Sequence, residues 1–175
     1  MLESRSRRVR QEVTALATAG AGVAELHAAA IELVGREVGT ELTCWAMIDP
    51  ETLTIGSMTS GDTRIPARYE PLLAEAEYSR TEPHRFAELA RRGAPVARLS
   101  ELTRAEAARS SRLHEIWRPL GLDHELRVMF TVGGECWGGG GLVRAGSDFT
   151  EREVEFLGAV APAVAAATRL AVRAE

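Results

Sequence analysis

The segment from His124 to Arg144, HELRVMFTVGGECWGGGGLVR, constrains the fold more than any other stretch of the chain. Leu126, Val128, Phe130 and Val132 alternate with Arg127, Met129 and Thr131, Gly133-Gly134-Glu135 turns the chain, and a second extended run goes from Cys136 to Val143. The pattern predicts a β-hairpin. Its arms are apolar or small on both faces, so both belong at the centre of a sheet covered on each side. Four consecutive glycines, Gly138 to Gly141, weaken a strand by roughly 0.5–1 kcal/mol each relative to alanine. A group pressed close to the sheet offsets that cost, and a helix backbone is the expected one, with a ligand as the alternative.

The rest of the chain supplies the cover. Val9, Val13, Leu16 and Ala17 share one face of a helix over residues 4–18, which Gly20-Ala21-Gly22 ends. A second helix over 23–38 carries Leu26, Ala30, Leu33 and Val34. Leu42 to Asp49 reads as another central strand, with a turn at Asp49-Pro50 and a weaker partner over 53–59. Helical pieces follow, one with Leu72, Leu73 and Ala76 and one over 83–92 with Phe86 and Leu89. Residues 95–99 make an edge strand blunted by Pro95. One helix is expected over 103–117, closed by Pro119 and Gly121. The last helix starts at a Thr150-x-x-Glu153 capping box behind Phe149 and runs to about Arg173, with Pro162 expected to kink it. The fold class is therefore α+β: a central, largely antiparallel sheet of about five strands, with N- and C-terminal helices on one face and shorter helices on the other. Residues 1–19 form an N-terminal helix suited to dimerisation, and 20–175 the main domain.

Charge and composition exclude several functions. A net charge of −4 gives no whole-chain attraction to nucleic acid. All 21 basic residues are arginine, and lysine and asparagine are absent, the usage of a GC-rich genome. Arg5, Arg7, Arg8 and Arg10 read as a solvated helix start before a nucleic-acid arm. No apolar run is expected to reach the roughly 20 residues of a membrane span, and the first residues make no signal peptide, which places the protein in the cytoplasm. His27, His84, His114 and His124 lack the short spacings of a metal site. No phosphate loop or nucleophile elbow occurs, and Gly20-Ala21-Gly22 follows a helix where a dinucleotide loop must follow a strand.

The element order resembles a GAF domain. More narrowly, Cys44-Trp45-Ala46 with Asp49-Pro50, Phe86-Ala87-Glu88-Leu89-Ala90-Arg91, Arg118-Pro119-Leu120-Gly121-Leu122, Glu125-Leu126-Arg127, Cys136-Trp137-Gly138-Gly139 and Asp148-Phe149-Thr150 with Ala161-Pro162 are similar to the sensory domains of actinobacterial LuxR-type transcription regulators. The resemblance implies a non-enzymatic, ligand-sensing domain for an unknown small molecule, homodimeric through its first and last helices. DNA contact falls to a C-terminal helix-turn-helix module outside this chain. Because GAF-like methionine sulfoxide reductases use cysteines, Cys44 and Cys136 are the candidates for a redox alternative. Antiparallel pairing of the first and last central strands sets Cys136 opposite Ile48 or Asp49, and at about 3.3 Å per residue the sulfurs are too far from each other for a disulfide. A ligand-free dimerisation scaffold is the third reading, and it requires a filled core.

A pocket is expected between the sheet and its shorter helices. Sequence parity assigns Cys44, Ala46, Gly138 and Gly140 to the face under the terminal helices. Trp45, Met47, Arg127, Met129 and Trp137 then face Tyr78, His84, Phe86 and Trp117 across the pocket. Arg127 matters most, because a buried arginine needs a partner, either a ligand carboxylate or a protein one such as Glu88.

Overall fold

The computed structural model describes residues 1–175. Its elements are α1 (Leu2–Thr18), α2 (Val23–Gly35), β1 (Leu42–Ile48), β2 (Ile55–Ser60), α3 (Glu70–Tyr78), α4 (Phe86–Arg92), β3 (Val96–Arg98), α5 (Arg104–Ala108), β4 (His124–Val132), β5 (Glu135–Arg144) and α6 (Glu151–Ala174). The sheet order is β2-β1-β5-β4-β3 with every pair antiparallel. The hairpin is as expected: Gly133 and Gly134, at φ of +58° and +78°, form a two-residue turn between the paired Val132 and Glu135. The Thr150 and Glu153 capping box starts α6, and Pro162 lies inside it.

α1, α2 and α6 cover one face. Val9, Val13, Leu26, Ala30, Val34, Leu157, Val160 and Val164 meet Leu126, Val128, Phe130 and Leu142 from the sheet in one apolar core. By length and composition α6 could cross a membrane, against the expectation of no such run, yet half of that stretch is buried here. Its buried side chains belong to the core shared with α1 and the sheet.

Two expectations about local structure fail. The helix expected over 103–117 is broken after α5, and residues Arg112–Trp117 resume as a wide π-helical turn. The break falls where the Glu82 carboxylate accepts from Ser110 Oγ (2.8 Å) and the Ser111 backbone N–H (2.7 Å). Those bonds replace the helical ladder.

The face assignment of β1 is also reversed. Trp45 pairs with Gly140 and Ala46 with Gly139, and residues directly opposite each other in a sheet share a face. Trp45 and Met47 therefore point to the terminal helices, while Cys44 and Ala46 point to the outer face. An error of one residue in register moves a whole strand's side chains across the sheet. Trp137 is displaced for a second reason. The β4–β5 register shifts between Phe130 and Thr131, leaving Trp137 as the extra residue of a bulge. Its ring lies under α6, 5.8 Å from the Arg173 guanidinium.

The glycine run makes room for aromatic rings, in place of the expected helix backbone. A Cβ on Gly140 would lie 2.9 Å from Trp45 Nε1, and one on Gly139 would lie 2.6 Å from the Phe86 ring on the opposite face.

Candidate ligand cavity

The outer face of the sheet is covered by α3, α4 and the turns around them, and the cover is incomplete. A cavity of about 480 Å³ remains between β1, β2, β4 and β5 below and α3 with the 63–65 segment above. Leu42, Ile55, Met58, Ile65, Leu73 and Val143 give it apolar walls. Of the residues expected at a pocket, Tyr78, Phe86, Trp117 and Arg127 line it. Trp45, Met47 and Trp137 lie on the other side of the sheet, for the reasons given above. Met129 packs beneath α4 with Phe86 and Leu89. His84 is buried beside the cavity without lining it.

What the sequence reading missed is a buried charge cluster whose Glu77, Glu125 and Arg127 reach the cavity wall, with Arg112 and Glu82 behind them. Arg112 is fully buried and donates through Nε and Nη2 to Glu125 (3.0 and 2.7 Å) and through Nη1 to Glu82 and the Pro83 carbonyl (3.0 Å each). Trp117 Nε1 donates to Glu125 Oε2 at 2.9 Å. Arg127, 3% exposed, donates through Nη1 to Glu77 Oε1 (2.7 Å) and to the His84 carbonyl (3.0 Å). Its protein partner is thus Glu77 and not Glu88, whose carboxylate instead accepts from the His84 backbone N–H. The left-handed φ of His84, +56°, belongs to the residue whose carbonyl meets Arg127. The Phe86 ring lies 4.0 Å from the Arg127 guanidinium, so Phe86 is held between that cation and Gly139.

The signal for this cluster was present in β4. Glu125 and Arg127 are two positions apart in a strand otherwise apolar, so both point to the outer face and neither can be there unpaired. Arg112 and Glu82 carried no comparable mark, since each sits in a stretch rich in polar residues.

Electrostatics keep Glu77 and Glu125 ionised. Burial alone would raise the Glu125 carboxyl, but the Arg112 and Arg127 charges and the bonds from Arg112 and Trp117 hold it down to about 2. Glu77 is lowered in the same way, with burial outweighed by Arg127, Arg112 and the Phe86 N–H. Three carboxylates, Glu77, Glu82 and Glu125, face two guanidiniums, Arg112 and Arg127, which leaves one negative charge in excess.

The two cysteines are free and far from each other. Cys44 pairs with Gly141, five positions along β5 from Cys136. Cys44 lines the cavity and Cys136 packs with Ala46 and Met129. Burial pushes both thiols up, away from the thiolate.

Neither a protein-family model nor a curated protein matches the sequence. Solved structures do match in shape. The chain resembles the A. aeolicus nlh2 GAF domain in an inactive state, with 15% identity, a TM-score of 0.60 and coverage of 97% of this chain and 99% of that one. It resembles the VqsR ligand-binding domain from Pseudomonas aeruginosa, at 11% identity, a TM-score of 0.60 and coverage of 94% and 97%. It also resembles the phycoerythrobilin-bound GAF domain of a cyanobacterial phytochrome, with 10% identity, a TM-score of 0.60 and coverage of 96% of each chain. The fold is that of a GAF domain.

Proposed function

We propose that this GAF-fold chain is the ligand-sensing domain of a cytoplasmic, actinobacterial LuxR-type transcription regulator, and that it has no enzymatic activity of its own. The observation that carries the reading is the cavity of about 480 Å³, within the usual size range of small-molecule sites. At its wall a buried guanidinium, Arg127, has donors that no protein group takes. Two of the structural neighbours support it by name, one as a ligand-binding domain and one as a bilin-bound domain. The scaffold reading requires a filled core, and the cavity counts against it. The redox reading requires a reactive thiol or a cysteine pair, and the separation and burial of Cys44 and Cys136 count against that.

Signal relay follows from the sheet's two faces. β4 and β5 line the cavity with one set of side chains and pack on α6 with the alternate set. An occupant that moves those strands changes the seat of α6, which in a longer regulator would lead to the DNA-binding module. The expected homodimer forms through α1 and α6.

The test uses a substitution that fills the cavity without disturbing the sheet. A Cβ on Gly141 meets nothing closer than the Cys44 carbonyl at 3.8 Å, and this residue lines the cavity. Native mass spectrometry of the protein purified from its own host should show an added mass that denaturation removes, and Gly141→Leu should fold but lack it. A bare wild-type protein, or an added mass that survives in Gly141→Leu, would contradict the proposal.

A further inference from the structure

The inference concerns the class of molecule the cavity accepts, and it rests on the ligand-sensing reading above. Arg127 uses only Nη1 for hydrogen bonds within the protein. Its Nε is sealed without a partner, 3.7 Å from Glu125 Oε1, whereas Nη2 makes no hydrogen bond and is not sealed. Glu77 shows the complementary pattern. Its Oε1 accepts from both the Phe86 N–H (2.6 Å) and Arg127 Nη1 (2.7 Å), and its Oε2 accepts from nothing and is not sealed. Nη2 and Oε2 are the unused atoms of two side chains joined by one salt bridge, and both residues line the cavity. The wall therefore offers a free donor and a free acceptor, an edge of complementary polarity.

Three kinds of polar head can be weighed against that edge. A carboxylate satisfies Nη2 but sets its second oxygen against Glu77 Oε2, in a cluster that already carries one excess negative charge. The exposed Arg64 and Glu70 at the rim offset each other and do not correct this. An ammonium group satisfies Oε2 but sets N–H against N–H at Nη2. A carbonyl with an adjacent N–H satisfies both atoms and adds no charge.

We propose that the cavity selects neutral molecules presenting an amide-type edge, as in a primary amide, a lactam or an imide-like heterocycle. The carbonyl accepts from Arg127 Nη2 and the N–H donates to Glu77 Oε2. The apolar body lies against Leu42, Ile55, Leu73 and Val143.

Phenylacetamide, phenylacetate and phenethylamine are matched in size and differ only in this edge. Their dissociation constants for the purified protein, read by NMR titration, should favour the amide by at least about tenfold over either charged probe, as expected when a mismatched head leaves a buried polar group unpaired. Binding of all three should vanish in Gly141→Leu. Glu77→Gln keeps an oxygen for the Phe86 N–H and turns an amide N–H toward the cavity, so phenylacetate should gain there and phenylacetamide should lose. Equal binding of acid and amide by the wild type, probe binding that survives Gly141→Leu, or an unchanged ranking in Glu77→Gln would overturn the edge assignment. If Glu77→Gln does not fold, the wild-type ranking decides alone. If none of the three probes binds the wild type, the cavity reading itself fails.

Discussion

The two faces of the sheet are built from the same strands and held together by different physics. Under α1, α2 and α6 the face is apolar and closely packed: Trp45 and Phe130 lie 4.6 Å from each other between ring centroids, and His27 with Thr168 is a buried polar contact within it. Under α3 and α4 the alternate residues of the same strand, Glu125 and Arg127 among them, take part in a five-member charge cluster and border open space. The filled face gains from shape and area, which many apolar sequences satisfy. The charged face depends on complete pairing, because each ion removed leaves its partners buried and unmet. The first face sets the fold and the second sets what the fold can hold.

The largest expected effect is at Arg112. Replacing it with methionine leaves Glu82 and Glu125 buried without their cation, and a loss of about 3–5 kcal/mol in urea denaturation is expected. That would equal the cost of deleting a core aromatic from the opposite face. A loss below about 1 kcal/mol would mean the cluster is solvated as a surface network would be.

Acid loads the two faces over overlapping pH windows, because burial lowers His84 on the outer face as well as His27 beneath the terminal helices. His27, 1% exposed against Trp45 and Phe130, is lowered by burial to about 4 from 6.5. The unfolded chain then binds this proton first, so stability should fall as pH drops from about 6.5 toward 4, by about 3 kcal/mol in all. Glu77 and Glu125 are depressed instead. Their contribution is full above about 4.5 and is lost as pH falls toward 2, the value for Glu125. His27→Gln should shrink the acid slope between about 6.5 and 4, leaving there the share that His84 contributes, and should leave the lower part unchanged. Unfolding free energies measured from pH 7 to 3 distinguish this from a single slope beginning near 4.5 in both proteins.

Most of the architecture was legible because it depends on patterns that a sequence states directly. Period-two alternation gave β4, Gly133-Gly134 gave its turn, and Thr150 with Glu153 gave the start of α6. The faces of β1 were not legible in this way, because Cys44, Trp45, Ala46 and Met47 are all plausible in a core and only pairing with Gly139 and Gly140 decides between them. The bulge at Trp137 had no signature within a run of glycines. The cavity was half visible: Tyr78, Phe86, Trp117 and Arg127 were expected there, whereas Glu77 at the wall and Glu82 and Arg112 behind it come from three separate segments. Their meeting is a tertiary fact, and so is the helix break that Glu82 accompanies.

The glycine run gives the finest test of the two faces, since four identical residues in succession have different surroundings. A Cβ at Gly138 would lie 2.6 Å from the Ala46 carbonyl oxygen, which is backbone and cannot move aside. Gly138→Ala should cost about 1–3 kcal/mol. Gly139→Ala and Gly140→Ala press on the Phe86 and Trp45 rings, each from its own side of the sheet. Gly141→Ala meets only ordinary contact at 3.8 Å and removes backbone freedom from the unfolded chain. It should stabilise the protein by about 0.5–1 kcal/mol. A change of sign between positions 139 and 141, which share the outer face, read as the shift in urea midpoint at constant slope, would show that the open space begins at Gly141. If Gly141→Ala instead destabilises like its neighbours, something already fills the cavity in the folded protein, and the sheet is as closely packed on its outer face as beneath α6.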